Sequence, residues 1–192
     1  MMFGELLQQR KDAIIERWVE AALSAYAEEA SAAFQRQKDP FANPIGHRLR
    51  TGTREIFETL LDGTDDARIR QHLHEIISIR AIQEFPASRA VGFVFELKGA
   101  VRAELGGLAA DPRFVSELAR LDGQVDRIVL TAFDVFVQCR ERVCELRINE
   151  IKRQVSWIMG KMNAGDSDPE PSQVDRSVMT PEETDEQREG DR

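Results

Sequence analysis

The sequence has 192 residues, 42% of them hydrophobic, which is enough for one ordinary folded domain and excludes a wholly disordered chain. Its formal net charge is -8 at pH 7, and residues 163–192, with ten Asp or Glu against three Arg, carry -7 of it, so residues 1–162 carry -1. This acidic balance, without a concentrated basic face, argues against nucleic-acid binding, and no stretch has the length and apolarity of a membrane span.

Apolar residues recur at helical spacing along nearly the whole chain, and no segment shows the alternation that is typical of a strand. The first helix is predicted over about residues 3–37, with Leu7, Ile14 and Trp18 on its inner face. Alanines on the same face would let another helix approach closely.

The second and third helices are predicted mainly from the residues that begin and end them. Asn43 fits an N-cap followed by Pro44 at the first helical position, and Gly63 fits the C-terminal stop of this helix. A third helix is predicted over about residues 65–83. Pro86 breaks it, because proline disfavours a helical conformation in the residue before it.

Two further segments complete the predicted fold. Residues 86–108 carry a broad, aromatic-rich stripe, which predicts one central core helix. Asp111 followed by Pro112 predicts the cap of a fifth helix. Gly123 either interrupts or bends that helix, and the last helix then continues to about Met162.

The predicted fold class is all-α, either globin-like or a helical bundle of five to six helices with a long C-terminal helix. Residues 1–162 are expected to form one helical domain, and residues 163–192 an acidic, disordered tail without aromatics. The N-terminus lacks the pattern of a signal peptide, and Cys139 and Cys144 lie five apart on one helix, on different faces, as fits reduced thiols. We therefore expect a cytoplasmic protein.

The last helix carries an apolar stripe whose steps alternate between four and three residues, which is the a/d pattern of a coiled coil. Six residues form it, and we call them the seam: Cys144, Ile148, Ile151, Val155, Ile158 and Met162. The residues between them are mostly charged or polar, so the seam is expected to pair with the same helix of a second copy. The alternative is that it folds back onto its own bundle. The upstream residues Leu130, Phe133 and Val137 are expected to be ordinary core.

Three blocks of the sequence carry a resemblance to a known family. They are residues 6–18 (LLQQRKDAIIERW), residues 38–46 (KDPFANPIG) and residues 79–98 (IRAIQEFPASRAVGFVFELK). In this order they resemble the RsbRD N-terminal domain family, which is named after the RsbT co-antagonist proteins of bacterial stress signalling. The resemblance covers about residues 5–150.

This resemblance implies a helical sensor-type module, related to the globin-like, non-haem N-terminal domains of stressosome proteins. Those modules dimerise and pass a signal through a linker helix to a phosphorylatable STAS domain. No STAS-like segment follows Met162 in this sequence, so we expect a stand-alone member of the family rather than a kinase substrate.

The candidate ligand or partner residues lie in the matched blocks, and they are Phe41, Asn43, Arg80 and Gln83. The alternative is that the polar residues of these blocks cap and pair with neighbouring helices. No nucleophile stands beside a base and no phosphate-binding loop occurs, so we predict no catalytic residue and no enzyme.

Metal and cofactor sites are not predicted either. The three histidines and two cysteines lack the spacing of a zinc site. The globin-like resemblance raises the idea of haem, for which His72 is nearest to an apolar stripe, but ordinary surface or core histidines are far commoner.

The sequence therefore predicts a non-enzymatic signalling or regulatory module that acts by homodimerisation and protein contact. Its expected partner, through the last helix, is a STAS-type protein or a kinase regulator. One alternative is an accessory or scaffold protein of a redox or respiratory complex, docked through the seam and the acidic tail. A weaker alternative is a haem or small-ligand sensor.

Overall fold

The computed structural model describes residues 2–26, 42–63, 65–83 and 85–165, with side chains as far as Met162. Phe41 and the predicted acidic tail lie outside these residues. The chain divides into two units, Met1–Asn149, which we call the core unit, and Glu150–Arg192, the terminal unit.

Helices and turns make up the described residues, which contain no strand, so the predicted all-α fold class is confirmed. Within the described ranges, seven α-helices and one 3₁₀-helix follow in chain order: α1 (Phe3–Gln9), α2 (Lys11–Leu23), α3 (Pro44–Asp62), α4 (Asp66–Ile82), α5 (Ala87–Gly92), α6 (Glu96–Leu105), the 3₁₀-helix (Gly106–Ala110) and α7 (Val115–Gly165).

The predicted helix starts and stops around α3 and α4 are confirmed. The side chain of Asn43 accepts a hydrogen bond from the main-chain N–H of Gly46 at 2.8 Å, with Pro44 opening α3. Gly63 ends α3 with a φ of 114°, a left-handed conformation that glycine adopts without strain. Asp65 caps α4 by accepting from two main-chain N–H groups.

The first predicted helix is divided where a single helix was expected. α1 ends at Gln9 and α2 begins at Lys11, with Arg10 between them. The Arg10 guanidinium donates to the main-chain carbonyl of Glu104 in α6, so the break is tied to a helix far away in the sequence.

The predicted central helix over residues 86–108 is also divided. α5 ends at Gly92, a turn occupies residues 93–95, and α6 then runs from Glu96. Periodicity did not predict this break, because Phe93 and Val94 are buried within the turn itself and so continue the apolar stripe through it.

The start of α7 also differs from prediction. Asp111 is not its N-cap, because α7 begins only at Val115. The carboxylate of Asp111 instead accepts from the main-chain N–H of Arg113 at 2.9 Å and closes a turn. Gly123 neither ends α7 nor interrupts it.

The core of the core unit is built around α2. This helix packs against both α3 and α6, and α3 packs against α4. Trp18 and Ile14 of α2 are fully buried, as the sequence predicted. α7 contributes Val125, Ala132 and Val135 to the same core.

Candidate functional site: the faces of the long helix

The terminal unit exposes the side chain of each described residue from Glu150 to Met162. Its four seam residues are between 50% and 68% exposed, and Trp157 and Met159 add to the apolar surface; the four are Ile151, Val155, Ile158 and Met162. This much apolar surface on one short helical segment is typical of a contact with another molecule.

Polar side chains on this segment bind one another along the helix. Glu150 accepts from Arg153 at 2.7 Å and from Gln154 at 3.0 Å, and these two contacts lower the pKa of its carboxyl, with Arg153 the larger cause. The ammonium of Lys161 lies 4.3 Å from the centre of the Trp157 ring. Charged side chains therefore flank the four seam residues of this unit, and one of them lies over the Trp157 ring.

The two seam residues of the core unit are exposed as well. Ile148 is about half exposed, and Cys144 carries a free thiol at the surface. Cys139 is also free but buried, and burial raises the pKa of its thiol. The prediction that the two cysteines face different ways is consistent with this difference.

The prediction that Leu130, Phe133 and Val137 are ordinary core is wrong. They are 67%, 47% and 37% exposed. α7 is apolar on two sides in this region. The bundle buries the side opposite to Leu130, Phe133 and Val137. The buried side contains Val125, Ile128, Ala132, Val135, Phe136 and Cys139. Helical periodicity marks both sides and does not tell which of them a bundle covers.

Ion pairs between α6 and α7 explain where the exposed side begins. Arg102 pairs with Asp122, and Lys98 pairs with Asp126 at 2.6 Å. The next residue on this edge of α7, at a spacing of four, is Leu130. α6 starts at Glu96, only two residues before Lys98, so this edge of α7 loses its cover at Leu130.

Arg80, a candidate from the sequence, is almost completely buried. Its guanidinium donates to the main-chain carbonyls of Ala22 at 3.1 Å, Ala90 at 3.2 Å and Arg89 at 3.3 Å. The Phe93 ring lies 4.6 Å from it, with Tyr26 and Phe85 slightly farther away. Burial lowers the pKa of Arg80, and the Tyr26 contact acts in the opposite direction.

The other three sequence candidates lie in different settings. Asn43 is buried and caps α3. Gln83 is exposed just after the last residue of α4. Phe41 lies outside the described residues. A ligand or partner role for the four residues stays a prediction. In the structure, Arg80 donates to main-chain carbonyls and packs against aromatic rings, and Asn43 caps α3.

A cleft of about 270 Å³ opens between α1, the end of α3 and the first turns of α7. Phe3, Leu7 and Leu60 line its apolar part, and Glu117 and Arg120 lie at its polar part. Sequence analysis did not predict it, because the cleft depends on how three distant helices meet and no motif marks such a junction.

His72 lies near two carboxylates rather than in a purely apolar setting, with Glu55 at 3.9 Å and Glu75 at 3.8 Å. Among the described residues, no group of three His, Cys, Asp or Glu side chains is placed to hold a metal ion. No helix in the described ranges is both long enough and apolar enough to cross a membrane.

Comparison with known proteins places the chain in a family of regulatory domains. The family model described as the RsbT co-antagonist protein rsbRD N-terminal domain matches residues 12–151, which is well over half of the chain, so the protein belongs to this family. The match ends inside α7, two residues into the terminal unit. No curated protein and no solved structure matches the chain.

Proposed function

We propose that this protein is a non-enzymatic, cytoplasmic signalling module that acts by homodimerisation through the seam and by contact with a regulatory protein. Membership of the RsbRD N-terminal domain family supports a stressosome-related signalling role. The single observation that carries the interface is the exposure of the seam residues of the terminal unit, each of them at least half exposed.

Leaving this apolar surface in water is unfavourable. Burying apolar surface is worth about 25 cal/mol per Å², so each Ile, Val or Met side chain that a partner helix fully covers contributes about 1.5–3 kcal/mol. A second copy offers a surface of the same shape and apolarity. The alternating steps of three and four match the requirement for knobs-into-holes packing.

The first test is the mass of the full chain in solution. Ile151→Asp places a charge in the middle of the seam, and we expect it to abolish a dimer that the unaltered chain forms, as measured by light scattering after size-exclusion chromatography. Ser156→Asp is the matched control, because Ser156 is an exposed polar residue outside the seam. We expect this control to remain dimeric, with both variants equally helical by circular dichroism.

Two results would overturn the proposed interface: a dimer that survives in Ile151→Asp, or a chain that is monomeric at all accessible concentrations. Partner identity is tested separately, by purifying the intact chain from its native extract and identifying bound proteins by mass spectrometry. STAS-domain proteins or stress kinases support the signalling role. Subunits of a respiratory or redox complex would support the accessory role instead.

A further inference from the structure

The end of α2 receives a side-chain donor from α4. The last carbonyls of a helix have no partner within it. After α2, the Ser24 N–H donates to the Glu20 carbonyl, and the Tyr26 N–H donates to the carbonyl of Leu23 rather than to that of Ala22. The Ala22 carbonyl accepts instead from Nη2 of Arg80.

The end of α4 is completed in the same manner by α7. Pro86 has no N–H to continue the helix, and the N–H of Phe85 donates to the carbonyl of Arg80 at 3.2 Å. The carbonyl of Ala81 therefore does not receive the N–H four residues later. It accepts from Nη1 of Arg140, on α7, at 3.0 Å.

These two contacts share one helical turn, because Arg80 and Ala81 are neighbours at the end of α4. Arg80 reaches back to α2, while the carbonyl of Ala81 holds α7. Arg140 follows directly after Cys139, which is the last buried residue of α7 among those described. The Arg140 contact is thus located where α7 stops contributing to the core of the core unit.

We propose that Arg80 and Arg140 form a conformational coupling between the end of α2 and the part of α7 that follows its last buried residue in the core unit, residues 140–149. When the Arg80 contact with α2 is lost, the last turn of α4 loosens. The Ala81 carbonyl, which accepts from Arg140, lies in this turn and becomes less well fixed. The inference extends the proposed function by naming how a change in the bundle reaches α7.

The chemistry of the contacts favours such coupling. Both donors are guanidinium groups, whose hydrogen bonds are stronger than those of neutral donors. Arg80 is buried, so water cannot readily replace the Ala22 carbonyl. It is also held by the carbonyls of Arg89 and Ala90 in α5, so the last turn of α4 is fixed to two other elements at once.

Hydrogen exchange of the full chain, read by mass spectrometry, tests the coupling. Arg80→Lys keeps the charge but cannot span three carbonyls, and we expect exchange in residues 140–149 to become about fivefold faster, as for the loss of one ordinary hydrogen bond. In an Arg140→Met background, we expect Arg80→Lys to have no further effect there. Arg142→Met is the control, because Arg142 is exposed and its described partner is Glu145 on the same helix.

Additive effects of Arg80→Lys and Arg140→Met on residues 140–149 would overturn the coupling, since independent sites add. Unchanged exchange in Arg80→Lys would overturn it too. If Arg80→Lys does not fold, the coupling is tested with Arg140→Met alone. Coupling is reciprocal, so this variant must speed exchange at the end of α2, at residues 22–26. Repeating each measurement in the Ile151→Asp background separates a failure of coupling from a failure of self-association.

Discussion

The indole N–H of Trp18 donates to the main-chain carbonyl of Phe93 at 2.6 Å, and the two rings stack with their centres 6.2 Å apart. Phe93 lies in the turn between α5 and α6, where helical hydrogen bonding is interrupted. The Trp18 side chain, from α2, thus donates a hydrogen bond to the main chain at the break in the predicted central helix. This relationship makes Trp18 both a core residue and the support of a turn.

Trp18→Phe should therefore destabilise the protein more than loss of apolar volume alone. The variant removes the donor and leaves the Phe93 carbonyl buried without it, so we expect the free energy of unfolding to fall by about 2–3 kcal/mol. Chemical denaturation followed by circular dichroism measures this. Trp157→Phe is the control, because Trp157 is exposed in the terminal unit. In the Ile151→Asp background, where no partner covers it, this change should alter stability by less than about 0.5 kcal/mol.

Asn43 provides a second prediction, which separates capping from a binding role. Asn43→Ala removes the acceptor for the Gly46 N–H and should lower the free energy of unfolding by about 1 kcal/mol. Asn43→Ser retains an uncharged acceptor oxygen at this buried N-cap position and should cost less. Thermal unfolding compares the two variants. Equal losses in both would show that the side chain acts through some contact other than the cap.

The caps show how much of this fold the sequence could predict. Asn43, Gly63 and Asp65 act within four residues of their own position, so local chemistry predicted both ends of α3 and the start of α4. The breaks at Arg10 and at residues 93–95 coincide with contacts to Glu104 and Trp18, which are far away in the sequence. Local periodicity carries no information about such partners.

The candidate site, too, could be predicted from the sequence only in part. The seam was predicted from the alternating three- and four-residue spacing of its apolar residues, and these residues are exposed in the structure. The face of α7 that contains Leu130 could not be assigned, because two apolar sides compete and the sequence does not show that α6 covers this edge of α7 only as far as Asp126. Arg140 was missed entirely. Its contact with Ala81 depends on the Phe85 N–H, which donates to the carbonyl of Arg80 and not to that of Ala81, and no sequence signal joins Arg140 to this turn.

The two cysteines should differ in reactivity by position. Cys144 is exposed, whereas Cys139 is buried and its thiol pKa is raised by burial, which reduces the reactive thiolate. In the Ile151→Asp variant, where no partner helix covers Cys144, we expect an alkylating reagent at neutral pH to modify Cys144 first and Cys139 only after unfolding. Mass spectrometry of digested protein locates the label, with Cys144→Ser as the control. Rapid labelling of Cys139 in that folded variant would contradict the burial of this face of α7.

The turn before α7 provides a prediction about pH. Hydrogen bonds from the side chain and the main chain of Arg113 lower the pKa of Asp111 from 3.8 to about 2. A lowered pKa in the folded state means that the contact stabilises the fold above the unfolded pKa and that this contribution is lost as pH falls through about 2.

Titration of the Asp111 carboxyl carbon by NMR measures the midpoint directly. In Arg113→Ala the main-chain N–H remains, so the midpoint should rise without reaching 3.8, while in denaturant both proteins should titrate near 3.8. A midpoint that does not move in Arg113→Ala would mean that the guanidinium does not hold this carboxylate, and that the main-chain contact alone closes the turn.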